Sequence, residues 1–166
     1  MELTYECPNC ESVGRLPDVE EATEAVCPAC GHARAIHVEA FSGGELVSCA
    51  WCATEDLYSQ KDFPHILGLA IVVAGFAVST VFWYFYLPIL AFAALLATAA
   101  LDVVLFYLVP DVTICYRCLC QYRGPGSNPG RKFPAFDLAI GERYRQERLR
   151  VEELRQQRAS GSKAGD

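Results

Sequence analysis

Nine cysteines stand in this 166-residue chain, and eight of them fall into four Cys-x-x-Cys pairs: Cys7/Cys10, Cys27/Cys30, Cys49/Cys52 and Cys115/Cys118. Two residues between thiolates let one tight turn aim both sulfurs at a single ion, so four pairs supply two tetrahedral four-thiolate sites. The competing use of paired cysteines is the disulfide, which belongs to oxidising compartments. Which chemistry applies therefore depends on where the pairs face.

The first site follows from spacing. Cys7-Pro8-Asn9-Cys10, sixteen intervening residues and Cys27-Pro28-Ala29-Cys30-Gly31 match the pattern of a structural zinc site. Proline fixes φ on the way into each turn, and Gly31 permits a positive φ on the way out. Over residues 3–40 the chain resembles zinc ribbons and rubredoxin-type knuckles. The resemblance implies short antiparallel strands hung from two knuckles, with residues 33–40 (ARAIHVEA) supplying one strand, and it implies no particular activity. With four thiolates present, His32 and His37 read as ordinary strand residues.

In the second site Cys49 and Cys52 stand 62 residues from Cys115 and Cys118, far beyond a ribbon's loop. The run from Cys115 to Gly124 also resembles the second half of a ribbon knuckle, with Leu119 where glycine usually follows the second cysteine. Other pairings stay open. Cys27/Cys30 and Cys49/Cys52 are eighteen residues apart and could form a ribbon that leaves Cys7/Cys10 to meet Cys115/Cys118, and an interleaved cross-brace is a third arrangement. Cys120, the ninth cysteine, reads as a spare buried thiol or as a substitute for Cys118.

The intervening segment explains how distant pairs could meet. Residues 65–109 form a 45-residue stretch whose one formal charge is Asp102. As a single helix it would run roughly 68 Å, more than twice the roughly 30 Å of a bilayer's hydrocarbon core. It must fold back, and Pro88, which lacks an N–H, marks the break. Spans 65–86 and 88–109 hold 22 residues each, enough to cross with slight tilt. Trp83, Tyr84 and Tyr86 at the turn suit the headgroup level. The polar flanks, 64 residues before and 57 after, are too small to wrap two wholly apolar helices in a soluble core.

Flanking charge sets the orientation. No Lys or Arg lies between the spans, whereas Lys61 precedes the first and Arg117, Arg123, Arg131 and Lys132 follow the second, which places both termini in the cytoplasm. Residues 1–13 lack the basic leader and apolar run of a cleavable signal, so the first span serves for insertion. The expected location is an integral, two-span protein of a prokaryotic plasma membrane. A reducing cytoplasm favours thiolate ligands over disulfides. Zinc, two ions in all, is the expected cofactor because it would replace part of the core that such small lobes cannot build, and iron is the alternative.

Asp102 sits about 10 Å inside the second span, where a carboxylate costs on the order of 2.5–3.5 kcal/mol. An antiparallel register places it opposite Val72, between Gly68 and Gly75. Ala91, Ala94, Thr98 and Asp102 make one stripe of small or polar residues, and Gly75 and Ser79 another, so the spans can pack closely. Asp102 is expected to hydrogen-bond across the hairpin or to a second copy, with a proton or ion path as the rival role.

The predicted fold class is small β zinc-ribbon lobes plus an α-helical transmembrane hairpin and a C-terminal helix. The predicted segments are a ribbon at 1–44, a split membrane-proximal metal lobe at 45–63 and 110–124, the hairpin at 65–109, a turn-rich linker at 125–134, a charged helix at 135–158 and a disordered tail at 159–166. The helix begins at Ala135 or Asp137, with Phe136, Ile140 and Tyr144 on one face and Val151 and Leu154 later. Residues 1–62 hold twelve acids against three bases, net −9, and residues 111–166 seven against eleven, net +4. The acidic lobe is a poor match for nucleic acid, while the basic tail suits anionic lipid heads or the acidic lobe itself. No catalytic triad, phosphate loop or open metal position is visible in the sequence, so it reads as a non-enzyme. The expected role is an interaction or assembly module whose partners are the bilayer and a protein or second copy. A tethered rubredoxin-like electron carrier and a small oligomeric transport component using Asp102 are the alternatives.

Overall fold

The computed structural model describes residues 1–163 and separates into two units, Met1–Gln60 with the chain from Val112 onward, and Lys61–Asp111. In the first unit, strands β1 (Glu2–Glu6), β2 (Val13–Leu16), β7 (Leu57–Lys61), β8 (Asp111–Cys115) and β9 (Gln121–Arg123) form one sheet in the order β2-β1-β9-β8-β7. Two small antiparallel pairs stand apart from it, β3 (Glu24–Val26) with β4 (Ala33–Ala35) and β5 (Phe41–Ser42) with β6 (Glu45–Leu46).

The sheet joins regions that the sequence separates. Strand β1 pairs antiparallel with β2 through Leu3 opposite Leu16, and with β9 through Leu3 opposite Tyr122. Strand β9 in turn sets Tyr122 opposite Thr113 of β8. The period of two puts Leu3 and Tyr5 on the buried side of β1. They join Val19, Leu46, Trp51, Leu57, Tyr122 and Phe133 in the main core. The sheet thus crosses the boundary expected between a 1–44 ribbon and a separate lobe at 45–63 and 110–124. Strand β4 ends at Ala35, so the strand expected over residues 33–40 is shorter and gives way to a 3₁₀ turn at Val38–Ala40.

Helix α3 (Leu138–Lys163) starts where Asp137 caps it, its Oδ1 accepting the N–H groups of Ala139 at 2.7 Å and Ile140 at 3.3 Å. Ile140 and Tyr144 pack on Tyr58, Val112, Ile114 and Tyr116, while Val151 and Leu154 are exposed. The Asp56 carboxylate ties the helix down, accepting the Tyr144 hydroxyl at 2.6 Å and the Arg143 guanidinium at 2.7 Å. The helix continues to Lys163, into the stretch expected to be a disordered tail, and residues 164–166 lie outside the described residues.

The expected linker is a fixed loop. Phe133 is buried and bonded both ways to Asn128, its N–H to Oδ1 at 2.8 Å and its carbonyl from Nδ2 at 3.1 Å. Gly126 runs so close to the Gly44 carbonyl oxygen that a Cβ there would lie 2.6 Å from it. Turn-forming residues here shape a packed connection.

The second unit is a helical hairpin of α1 (His65–Tyr84) and α2 (Pro88–Leu108), both long and apolar enough to cross a membrane. Pro88 is the first residue of α2, where its missing N–H costs nothing. A Cβ on Gly75 would lie 2.5 Å from Thr98 Cγ2, so the helices touch where the small-residue stripes predict. Asp102 lines a cleft of about 260 Å³ with Phe63, Gly68, Val72 and Phe106, in the predicted register. The roots are stitched together. Lys61 Nζ meets Asp111 Oδ1 at 3.0 Å and the Val109 carbonyl at 3.1 Å, and the Asp62 N–H donates to the Pro110 carbonyl at 3.1 Å. Outward faces carry exposed Ile66, Leu69, Phe76, Ile89, Phe92 and Leu96.

Candidate metal centres

Each Cys-x-x-Cys pair sits on a turn built to one plan. The first cysteine's N–H donates to the carbonyl five residues on: Cys7 to Ser12 at 2.9 Å, Cys27 to His32 at 2.9 Å, Cys49 to Thr54 at 2.8 Å and Cys115 to Cys120 at 3.1 Å. The first cysteine's carbonyl accepts the N–H four residues on, from Glu11, Gly31, Ala53 and Leu119 at 2.8 to 3.0 Å. Those four residues take the left-handed backbone, with φ of 58°, 71°, 57° and 59°. Only one of them is glycine. The backbone hydrogen bonds, and not glycine itself, impose the turn.

The turns gather two groups of sulfurs among the described residues, Cys7 with Cys10, Cys27 and Cys30, and Cys49 with Cys52, Cys115 and Cys118, each group's Sγ atoms lying within 4.8 Å of one another. In the first, Cys7 and Cys30 are 3.7 Å apart and Cys10 and Cys27 3.6 Å. In the second, Cys49 and Cys118 are 3.4 Å apart and Cys52 and Cys115 3.6 Å. All the cysteines are free thiols, and these separations far exceed the roughly 2.05 Å of a disulfide. A tetrahedron with metal–sulfur bonds of about 2.3 Å has edges of about 3.8 Å. The donor sets fit a four-thiolate ion.

The groups differ in burial and in the hydroxyl beside them. The first cysteine of every pair is buried, but the second is exposed in the first group, at Cys10 and Cys30, and only half-buried in the second, at Cys52 and Cys118. In the first group Ser12 Oγ lies 3.0 Å from Cys10 Sγ and 3.2 Å from Cys27 Sγ. That hydroxyl, with the backbone N–H groups of Cys30 and Ala29, holds the Cys27 thiol down at about 6. In the second group the thiols of Cys115, Cys118 and Cys52 bond to Cys49 and hold it well below the ordinary thiol range, with Tyr122 adding a further bond. Cys118 is pushed the other way, its bonds to Cys115, Cys120 and Cys49 favouring the protonated form. Four adjacent thiols cannot all ionise unaided, and a divalent cation in place of the protons resolves that conflict.

Tyr122 was not singled out in the sequence. It lies on β9, wholly buried, where its hydroxyl accepts the Ala50 N–H at 2.9 Å and lies 3.3 Å from Cys49 Sγ. Trp51, inside the Cys49 turn, stacks on Tyr5 with centroids 4.6 Å apart and carries Arg34 4.7 Å above its ring. The sequence offered only generic aromatics at these positions.

The remaining expected residues sit as follows. Cys120 is buried and outside both groups, and it serves the Cys115 turn through its carbonyl. His32 and His37 are exposed, outside both groups and outside the strands on either side. Asp102 Oδ1 is buried without a hydrogen-bond partner among the described residues. Comparison with family models, curated proteins and solved structures finds no match to this chain.

Proposed function

We propose that this is a membrane-anchored protein whose two four-cysteine centres each hold a structural zinc ion on the cytoplasmic side, where the sheet they brace is an interaction or assembly module. The observation that carries the reading is the repetition of one knuckle four times around two closed sulfur groups. A four-thiolate ion leaves no open coordination position for substrate, which favours a structural role over catalysis. The hairpin supplies the anchor: a 45-residue apolar segment with exposed outer faces is stable where its surroundings are hydrocarbon.

Metal analysis and an absorption spectrum of protein purified in detergent test the proposal. Two zinc ions per chain and no visible absorption are expected, and iron–thiolate charge-transfer bands would overturn it in favour of electron transfer. The exposed edge of the first group, at Cys10 and Cys30, is what an electron carrier would need, and it is the reason iron is the reading to test against.

A further inference from the structure

Building on the reading of the second sulfur group as a metal centre, we infer that Tyr122 is a positioning residue that sets both the affinity and the electronic character of that centre. Its hydroxyl has one hydrogen to give. The hydroxyl oxygen accepts from the Ala50 N–H at 2.9 Å and lies 3.3 Å from Cys49 Sγ; a metal-bound thiolate has no hydrogen of its own, so in the loaded centre the hydroxyl is the donor to that sulfur. Burial removes water as a competitor for either bond, since Tyr122 and Cys49 are both wholly inaccessible. Four thiolates around a divalent ion carry a net charge of −2, and a donor aimed at one sulfur offsets part of it where solvent cannot.

Placement makes the bond more than an accident of packing. Tyr122 is held on both sides in the sheet, opposite Leu3 on β1 and Thr113 on β8, so its ring is fixed before the hydroxyl reaches the sulfur. Cys49 belongs to the chain before the apolar hairpin and Tyr122 to the chain after it, 73 residues on. The hydroxyl therefore meets the sulfur only when both arms of the site are assembled. The first centre has a half-buried serine in the same place, Ser12 against Cys10 and Cys27. There the donor is one that water can replace.

The test is Tyr122→Phe in the full chain in detergent, loaded with cobalt(II) as a spectroscopic stand-in and, separately, with zinc. Phenylalanine keeps the ring and its packing and removes the hydroxyl. The expected result is a loss of about 10- to 100-fold in affinity for the second equivalent of metal, with the first equivalent unchanged and the thiolate-to-cobalt band of the second moved to lower energy. Ser12→Ala is the comparison, and it should change only the first equivalent, by a smaller factor. Unaltered affinity and an unshifted band in Tyr122→Phe, with two equivalents still bound, would overturn the inference. Wild-type protein that binds fewer than two equivalents would instead overturn the reading on which it rests. Loss of both equivalents in Tyr122→Phe would mean a general structural role and would also refute it.

Discussion

Ala53 shows what the knuckle demands of a single residue. Its φ of 57° is a conformation that costs a non-glycine residue roughly 1–2 kcal/mol, and its exposed side chain gives nothing back in packing. Glycine removes the strain but loses more chain entropy on folding, so Ala53→Gly should stabilise the metal-loaded protein by up to about 1 kcal/mol. A urea titration followed by thiol exposure would register this as a higher midpoint. An unchanged or lower midpoint would mean that the metal already dictates the turn. Cys120 makes the complementary case. Since it serves the turn through its backbone, Cys120→Ala should keep both ions, and loss of one would make it a ligand. The ligand groups were legible because Cys-x-x-Cys spacing encodes a local turn. Tyr122 was not, because nothing local marks one buried tyrosine as reaching a sulfur 73 residues away.

Among the elements, the hairpin was the easiest to read and the sheet the hardest, for one physical reason. A 45-residue apolar run with a central proline is determined by its own composition, and α1 and α2 end within two residues of the predicted spans. Strands of two to five residues carry little periodicity of their own. Their partners come from tertiary packing, which is how β9 came to lie against β1. The contact at Gly75 yields a prediction for the hairpin. Adding a methyl group there puts carbon 2.5 Å from Thr98 Cγ2 and 2.6 Å from its Oγ1, so Gly75→Ala should destabilise the pair by about 1–3 kcal/mol through overpacking. Thr98→Ala removes those two atoms and should recover part of the loss in the double variant. Thermal unfolding of the four proteins in detergent gives the coupling, and purely additive effects would argue against a tight helix contact.

For the whole molecule, the consequence lies in how the chain is threaded. All four sulfurs of the first group lie between residues 7 and 30, whereas the second closes a loop from Cys52 to Cys115 that contains the entire hairpin. The two ions should therefore leave by different routes. Cys10 and Cys30 are open to a chelator, while their counterparts Cys52 and Cys118 are only half-buried beside the buried Cys49 and Cys115, and removal of the second ion requires the arms on either side of the hairpin to part. A chelator should give biphasic release, with one equivalent lost quickly and one slowly. Cys115→Ser assigns the phases: it should abolish the slow one and leave the fast one, because no ligand of the first group has been touched. The β1–β9 pairing lets some of that disruption reach the first centre, so its release should accelerate without being lost. A single release phase in wild type, or two tightly held ions in Cys115→Ser, would show that the metal does not lock the two arms together.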